Sequence, residues 1–250
     1  MKSLERRTAL VTGASRGLGA AIALELGSQG ARVAVNYWAN PSGAERVCAQ
    51  IRKSGGEAHA FRADVREEEE VRRMVQEVRD VFGEIDIAVL NATGPQPFLS
   101  IEEQTWRSYL DQLEFFVKSP LLILQQIVAG MTSRGFGRVI QIGSEVVEIG
   151  NPKFANYVAA KAAQLGQTRS WARELAPTGI TVNLVAPGWI PTERHADVSQ
   201  EEMQAYANLV PMRRMGIPED VAKAVAFLAG DAAKFITGQK ISVNGGNTLE

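Results

Sequence analysis

Hydrophobic residues follow two different periods along most of this chain. Seven short runs are rich in apolar and β-branched residues, and several of them are nearly unbroken, which is typical of strands buried in a sheet. The longer segments between them carry apolar residues every three or four positions, as an amphipathic helix does. The predicted strands are residues 8–12, 32–37, 58–63, 85–90, 138–142, 180–185 and 241–243, and the predicted helices are residues 18–28, 44–54, 67–82, 105–131, 154–175 and 219–229.

Strands that alternate with helices predict a parallel sheet that is covered on both faces. We therefore expect an α/β fold with a doubly wound parallel sheet of about seven strands. No linker, repeat or low-complexity tract divides the chain, so we expect one domain over residues 1–250. Residues 191–215 interrupt the alternation at the carboxyl edge of the sheet, where such folds bind ligands. This interruption predicts a substrate lid that orders when substrate binds.

Composition and charge exclude several classes of function. Of the 250 residues, 45% are hydrophobic and 22% are charged, which are the fractions of a globular protein. The 27 Lys and Arg residues balance the 28 Asp and Glu residues, so the net charge of −1 gives no general attraction to nucleic acid or an anionic membrane. Cys48 is the only cysteine, and His59 and His195 lie far apart, so we expect neither an intrachain disulfide nor a metal site.

The sequence also argues against membrane insertion and export. No apolar run approaches the ~20 residues that a membrane-spanning helix needs. The most apolar stretch, residues 121–131, is interrupted by Gln125 and Gln126. The chain begins Met-Lys-Ser-Leu-Glu-Arg-Arg, which lacks the apolar core of a signal peptide. We expect a cytoplasmic protein.

A glycine-rich turn follows the first predicted strand and opens the first predicted helix. Residues 12–19 read Thr-Gly-Ala-Ser-Arg-Gly-Leu-Gly. Glycines at this place let backbone N–H groups approach a pyrophosphate at a helix N-terminus. Many glycines only serve turns, so the stretch alone is weak evidence. The strand before it and the helix after it favour a phosphate-binding turn.

A second group of residues has the chemistry of a proton-transfer site. Tyr157 and Lys161 are four residues apart, so on a helix they share a face. A neighbouring ammonium stabilises a phenolate and lowers the tyrosine pKa from its ordinary value near ~10. Ser144 follows the fifth predicted strand, and its hydroxyl can hydrogen-bond an oxygen on which charge develops. The Tyr-x-x-x-Lys spacing alone is common on helices, so its weight comes from the other motifs.

Taken together, these motifs resemble those of the short-chain dehydrogenase/reductase family, and most closely its 3-oxoacyl-carrier-protein reductase-like enzymes. The resemblance extends over nearly the whole chain and implies a Rossmann-like fold. The matching motifs, in the family's order, are Thr-Gly-x-x-x-Gly-x-Gly at residues 12–19, Asp64-Val65, Asn91-Ala92, Ser144, Tyr157-x-x-x-Lys161, Pro187-Gly188 and Gly245-Gly246.

The resemblance implies a role for each of these positions. Tyr157 is the general acid/base, Ser144 steadies the substrate carbonyl, and Lys161 also holds the nicotinamide ribose. Asp64 would bind the adenine amino group, and Ile190 and Thr192 would meet the nicotinamide. The residues expected to contact the cofactor are Gly13, Ser15, Arg16, Gly17, Leu18, Gly19, Asn36, Asp64, Val65, Asn91, Ala92, Tyr157, Lys161, Pro187, Gly188, Ile190 and Thr192.

The end of the second predicted strand bears on the choice of cofactor. An acidic residue there would accept the ribose hydroxyls of NAD, but this chain has Asn36. Arg16, inside the phosphate turn, can pair with a 2′-phosphate. By resemblance this combination favours NADP(H). The alternative, that Arg16 is only a solvated turn residue, stays open.

Two positions depart from the family pattern. Thr93 stands where the family has glycine, and Gly94 comes one place later. The family also carries a catalytic asparagine on the helix after the fourth strand, where it supports a water that joins the lysine to solvent. Here that position falls on Phe116, or on Leu113 if it is counted from Trp106. Neither residue is an amide, so the proton relay is in question.

The leading functional hypothesis is an NADPH-dependent reductase of a ketone, either a 3-oxoacyl thioester on a carrier protein or CoA, or a related small carbonyl. The alternatives are an alcohol or sugar dehydrogenase that works in the oxidative direction, and a cofactor-binding protein with weakened chemistry. The resemblance also implies a homotetramer. Apolar residues on the two longest predicted helices exceed what one sheet face can cover, namely Leu121, Ile123, Leu124, Ile127, Leu165 and Trp171.

Overall fold

The computed structural model describes residues 3–249, so Met1, Lys2 and Glu250 lie outside the described residues. Within this range seven parallel strands form one sheet. They are β1 (Thr8–Val11), β2 (Arg32–Tyr37), β3 (Glu57–Arg62), β4 (Ile87–Leu90), β5 (Gly137–Ile142), β6 (Ile180–Pro187) and β7 (Lys240–Val243). Their order in the sheet is β3-β2-β1-β4-β5-β6-β7. The chain reverses direction of winding between β1 and β4, and a crevice opens there at the carboxyl edge.

Helices cover both faces of this sheet, which confirms the predicted fold class. They are α1 (Gly17–Ser28), α2 (Pro41–Lys53), α3 (Glu68–Phe82), α4 (Trp106–Leu113), α5 (Ser119–Arg134), α6 (Val146–Ile149), α7 (Ala155–Leu175), α8 (Gln200–Leu209) and α9 (Pro218–Ala229). A π-helical turn, Glu114–Lys118, joins α4 to α5. One apolar cluster lies between the sheet and α1, α2 and α9, and the other lies between the sheet and α3, α5 and α7.

The strand boundaries agree with the hydrophobic pattern to within two residues. The central strands β1, β4, β5 and β6 are buried along their whole length, whereas the edge strands β3 and β7 are partly exposed. The pattern missed α6 and α8. Helix α8 lies inside the predicted lid and is half solvated, so it has little apolar periodicity. Its start is nevertheless signalled by a capping box, in which the Ser199 side chain accepts from the Glu202 backbone and the Glu202 carboxylate accepts from the Ser199 backbone.

The structure corrects the argument about surplus apolar surface. Ile123, Leu124 and Ile127 are buried inside the chain, because α5 packs its apolar side into the cluster with α3 and α7. Leu121 is 40% exposed, as expected. Other large apolar side chains are more exposed, including Phe235 at 100% and Phe227 at 50%.

The continuous helical stretch Trp106–Arg134 is long and apolar enough, by length and composition, to cross a membrane. The search for unbroken apolar runs missed this stretch because Gln125 and Gln126 interrupt it. The mean hydropathy over 18 residues stays high in spite of these two amides. In the most apolar window of that stretch, 44% of the residues are buried inside the chain. The core helix of a globular domain passes the same test, and α5 lies in such a core.

Candidate active site

All the motifs of the sequence analysis meet at the carboxyl edge of the sheet. The phosphate turn follows β1, Asn91 follows β4, Ser144 follows β5 and Pro187 ends β6. The Thr12 hydroxyl accepts from the backbone N–H groups of Asn91 at 2.9 Å and Ala92 at 3.0 Å. The Asn91 side chain in turn donates to the Thr12 carbonyl at 2.9 Å. These bonds fasten the segment after β4 to the phosphate turn, so the two walls of the crevice are held together.

The glycines of the phosphate turn are required by close approach of the backbone. Gly13 has a φ of +62°, and a Cβ on it would lie 2.9 Å from the Ala92 Cα. A Cβ on Gly19 would lie 2.5 Å from both the Gly13 carbonyl and the Asn91 side chain. The turn therefore brings bare backbone to the N-terminus of α1, which is the arrangement that accommodates a pyrophosphate. The residues fit the dinucleotide that the resemblance implies.

Asn36, near the end of β2, is hydrogen-bonded to the phosphate turn. It is buried, its side-chain oxygen accepts from the Gly13 N–H at 3.1 Å, and its amide donates to the Ala63 carbonyl at 3.1 Å. A cofactor role for Asn36 therefore stays a prediction, and the observed contacts are those of a residue that positions the turn. Arg16 is exposed at the entrance, and no ion pair holds it within residues 3–249.

Asp64, after β3, is engaged by its own neighbour. Its two carboxylate oxygens accept from Arg66 at 3.0 and 2.6 Å. Burial acts to raise the pKa of Asp64, but the hydrogen bonds and charge of Arg66 outweigh it, so the pKa lies below its ordinary value. The expected contact from Asp64 to an adenine would have to share this carboxylate with Arg66.

Tyr157 and Lys161 lie one turn apart on α7, and both are buried at the floor of the crevice. Burial raises the pKa of Tyr157 to about 12, while Ser144, the Arg194 charge and Gln96 act in the opposite direction. The phenol is therefore protonated at neutral pH and can donate its proton. The sequence analysis expected Lys161 to supply the cation that acts on the phenol. Arg194, on the lid, is a further cation whose charge acts on the phenol.

The Lys161 ammonium has a contact on each side. It donates to the Ile142 carbonyl at 2.6 Å and to the Gln164 side-chain oxygen at 3.2 Å. The centre of the Phe116 ring lies 3.7 Å from its nitrogen. Burial lowers the pKa of Lys161 well below its ordinary value, and the positive charge of Arg194 lowers it further.

The two alternative positions of the missing asparagine have different contacts. Phe116 lies on the π-helical turn, is buried, and meets the Tyr157 ring edge-on at a centroid distance of 5.4 Å. Leu113 ends α4 and only borders this cluster. Of the two alternatives, Phe116 is the one that faces the catalytic pair. A π turn holds more residues than an α turn, so it turns Phe116 inward without breaking the helix.

The segment after β4 forms the other side of the crevice mouth. The exposed Thr93 hydroxyl accepts from the Gln96 side chain at 2.9 Å, and Gln96 also acts on the phenol of Tyr157. A Cβ on Gly94 would collide with the Phe115 ring, so glycine is needed one place later than in the family pattern. The sequence analysis did not single out Gln96, because no local signal distinguishes it from other loop amides.

Arg194 is a further residue that sequence reasoning missed. Its guanidinium donates to the Gly94 carbonyl at 2.6 Å, which joins the lid to the segment after β4 across the mouth of the crevice. The side chains of the two residues before it lie against the phosphate turn, since a Cβ on Gly17 would be 3.4 Å from side-chain atoms of Thr192 and Glu193. His195, next to it, accepts from the Thr192 N–H at 3.2 Å, so this histidine stabilises the local turn.

The lid is fastened on its inner side by one tyrosine. The Tyr206 hydroxyl, on α8, donates to the Glu145 carboxylate at 2.6 Å and accepts from the Trp189 N–H at 2.9 Å. Trp189 and Tyr206 both line a cavity of about 340 Å³ beneath the lid. Glu145 directly follows Ser144, so the position of α8 is linked to the catalytic serine.

We expect Tyr206→Phe to open the lid. The change removes the two hydrogen bonds of the hydroxyl and leaves the ring in place. Trypsin should then cleave after the arginines of the lid, Arg194, Arg213 and Arg214, several times faster than in the parent chain, and cofactor with substrate should restore protection. Mass spectrometry of the digest checks this. Tyr109→Phe on α4 is the matched control, since its hydroxyl bonds only the nearby Gln104. Equal cleavage of the parent and Tyr206→Phe would contradict the link.

The chain is similar in sequence to known reductases. A family model described as enoyl-(acyl carrier protein) reductase matches residues 13–248. The chain is 43% identical over 242 residues to the 3-oxoacyl-[acyl-carrier-protein] reductase FabG of Staphylococcus aureus, covering 96% of this chain and 97% of the relative. It is 40% identical over 252 residues to the 3-oxoacyl-[acyl-carrier-protein] reductase of Synechocystis sp., with both chains covered completely.

Solved structures give the same picture. A mutant short-chain dehydrogenase/reductase of Serratia marcescens superposes with a TM-score of 0.92 at 35% identity, over 99% of this chain and all of its own. LugOII, a promiscuous reductase that catalyses a keto-reduction in lugdunomycin biosynthesis, superposes with a TM-score of 0.91 at 35% identity over 99% of this chain and 100% of its own.

Proposed function

Because this chain belongs to the short-chain dehydrogenase/reductase family, we propose that it is an NADPH-dependent reductase of a 3-oxoacyl thioester. The chain is an oxidoreductase that acts on a carbonyl/hydroxyl pair with a nicotinamide cofactor. NADP(H) as that cofactor and an acyl-carrier-protein thioester as the substrate are the parts we propose. The observation that carries the proposal is that Ser144, Tyr157 and Lys161 meet beside the phosphate turn in a chain 43% identical to a 3-oxoacyl-carrier-protein reductase.

The cofactor supplies the hydride that reduces the carbonyl carbon, and the chain's own residues do the rest. The Ser144 hydroxyl donates to the carbonyl oxygen and stabilises the charge that develops there. The Tyr157 hydroxyl gives its proton to that oxygen, which yields the alcohol. Lys161 would hold the nicotinamide ribose when the cofactor is bound, and its charge would stabilise the tyrosinate that remains. Arg194, on the lid, adds a second positive charge close to this tyrosinate.

The absence of a carboxylate at Asn36, together with the unpaired Arg16, supports NADP(H) over NAD(H). The pyrophosphate would lie on the backbone of the phosphate turn, and Arg16 would pair with the 2′-phosphate. The other residues expected to contact the cofactor follow the carboxyl ends of β3, β4 and β6, namely Val65, Ala92, Gly188, Ile190 and Thr192. We also propose a cytoplasmic location.

Arg134 and Arg138 are basic residues that could contact an acidic carrier protein, but both are engaged within the chain and lie near the start of β5, away from the carboxyl edge of the sheet. Arg138 is buried, and its guanidinium lies 4.2 Å from the Phe136 ring centre. Arg134 donates to the Ile85 carbonyl at 2.9 Å and pairs with Asp86 at 3.3 Å.

The proposal is tested by the oxidation of NADPH, followed by absorbance, with three forms of the same 3-oxoacyl group: on acyl carrier protein, on CoA and on a short thioester. We expect turnover with all three and the lowest KM for the carrier-protein form. Equal KM values for the three forms would contradict the preference for a carrier-protein substrate but would still support ketone reduction. Turnover only of alcohols or sugars with NADP⁺ would favour the oxidative alternative, and no turnover with tight NADPH binding would favour a binding protein.

We further propose the homotetramer that the resemblance implies. The exposed Phe235, Phe227 and Leu121 supply apolar surface that a symmetric assembly would cover. Light scattering at micromolar concentration should give four chain masses, and Phe235→Asp should lower that mass. A monomer mass for the parent chain would contradict the assembly.

A further inference from the structure

We propose that Gln164 is a positioning residue for this reaction, and that its neutral amide oxygen and the ring of Phe116 together seat the Lys161 ammonium beside Tyr157 without a carboxylate. The inference rests on the proposed function, because it assigns Lys161 a part in proton transfer. Gln164 belongs to none of the motifs of the sequence analysis. It lies three residues after Lys161 on α7 and is almost completely buried.

Three contacts hold the ammonium in place. An ammonium has three donors, and two of them reach the Ile142 carbonyl at 2.6 Å and the Gln164 oxygen at 3.2 Å. The Phe116 ring, with its centre 3.7 Å from the nitrogen, offers its negative face to the charge. A ring at this distance leaves no room for water between Phe116 and Lys161. The seat thus holds the charge by one carbonyl, one amide oxygen and one aromatic face.

A buried polar chain ties the backbone of α7 at Gln164 to β5. The Thr168 hydroxyl donates to the Gln164 backbone carbonyl at 2.9 Å and accepts from the Gln141 side chain at 3.0 Å. Gln141 lies on β5, one residue before Ile142. Since Ile142 supplies the other acceptor for Lys161, the chain sets α7 against β5 in the register that the seat requires.

The charge balance around Lys161 explains why an amide stands here. The titratable or charged groups that face the ammonium are Tyr157 on its own helix and Arg194 on the lid, while Ile142, Gln164 and Phe116 contribute none. Among the described residues no carboxylate pairs with Lys161. A neutral acceptor holds the ammonium in place yet leaves its proton easy to release, whereas a carboxylate would hold that proton firmly.

The test uses two substitutions at one position with opposite electrostatic consequences. Gln164→Glu adds a carboxylate and raises the pKa of Lys161, whereas Gln164→Leu removes the acceptor and lowers it. Two pH profiles are measured: that of kcat for ketone reduction, and that of the NADPH dissociation constant from fluorescence. The alkaline limb of both profiles should shift to higher pH by about one unit in Gln164→Glu and to lower pH by about one unit in Gln164→Leu. Gln164→Leu should also weaken NADPH binding roughly ten-fold at neutral pH.

Matched controls separate seating from packing. Gln167→Leu, one turn further along α7, removes an amide that donates only to the Val117 carbonyl, and should leave both limbs in place. Phe116→Leu should shift the alkaline limb to lower pH. Phe154→Leu should leave the limb in place, because Phe154 stacks on Tyr157 at 4.7 Å without a contact to Lys161. If Gln164→Leu fails to fold, the upward shift in Gln164→Glu still decides.

The possible failures are distinguishable. An active parent chain whose two Gln164 variants shift in the same direction, or not at all, overturns the seat and leaves ketone reduction intact. A parent chain that binds NADPH but reduces no ketone overturns the proposed function, while opposite shifts in the NADPH dissociation constant would still support the seat. A parent chain that binds no NADPH overturns both.

Discussion

Tyr157→Phe is expected to lower turnover by roughly 10²–10⁴-fold, because general acid catalysis contributes about that much and the phenol is the proton donor. The change removes one oxygen and keeps the ring that stacks on Phe154 and meets Phe116. The phosphate turn and the Lys161 seat are untouched, so the NADPH dissociation constant should stay close to that of the parent chain.

Steady-state kinetics and a fluorescence titration of NADPH measure the two effects separately. Tyr109→Phe is the control, since it removes a hydroxyl that donates to Gln104. Substantial turnover in Tyr157→Phe would show that another group donates the proton. If the parent chain reduces no ketone and Tyr157→Phe binds NADPH as tightly as the parent, the binding-protein alternative would be favoured instead.

Arg16→Ala is expected to weaken NADPH binding by roughly 10–150-fold, which is the loss of one charge-assisted contact to a phosphate. NADH lacks the 2′-phosphate, so its dissociation constant should change much less. The parent chain should bind NADPH more tightly than NADH, because Asn36 cannot accept the ribose hydroxyls as a carboxylate would.

Titration of both cofactors into the parent and the variant checks this. Arg72→Ala on α3 removes an exposed arginine that pairs with Glu69, and both affinities should be unchanged. Tighter binding of NADH by the parent chain would overturn the cofactor assignment. An equal loss for the two cofactors in Arg16→Ala would place Arg16 on the pyrophosphate they share.

The sequence by itself determined the architecture and which residues form the proposed catalytic group. An apolar run in a parallel sheet is buried on both faces, so its pattern is local and complete, and all seven strands could be located. The phosphate turn and the pair Tyr157 and Lys161 are also local, because their spacing fixes which side chains share a helix face or a turn. Ser144 was identified by its spacing from Tyr157, which matches that of the family. Its place at the same edge of the sheet follows from the parallel topology, because all the carboxyl ends of parallel strands lie at one edge.

Tertiary structure alone decided which partners complete the site. Arg194 and Gly94 are 100 positions apart, and no periodicity relates a lid residue to a loop carbonyl. The choice between Leu113 and Phe116 depended on the π-helical turn, which alters the helical period locally and so defeats counting along the sequence. Gln164 reads as one more amide on a long helix. Only the packing of α7 against β5 turns it toward Lys161, because the free energy of a buried ammonium depends on which acceptors surround it in space.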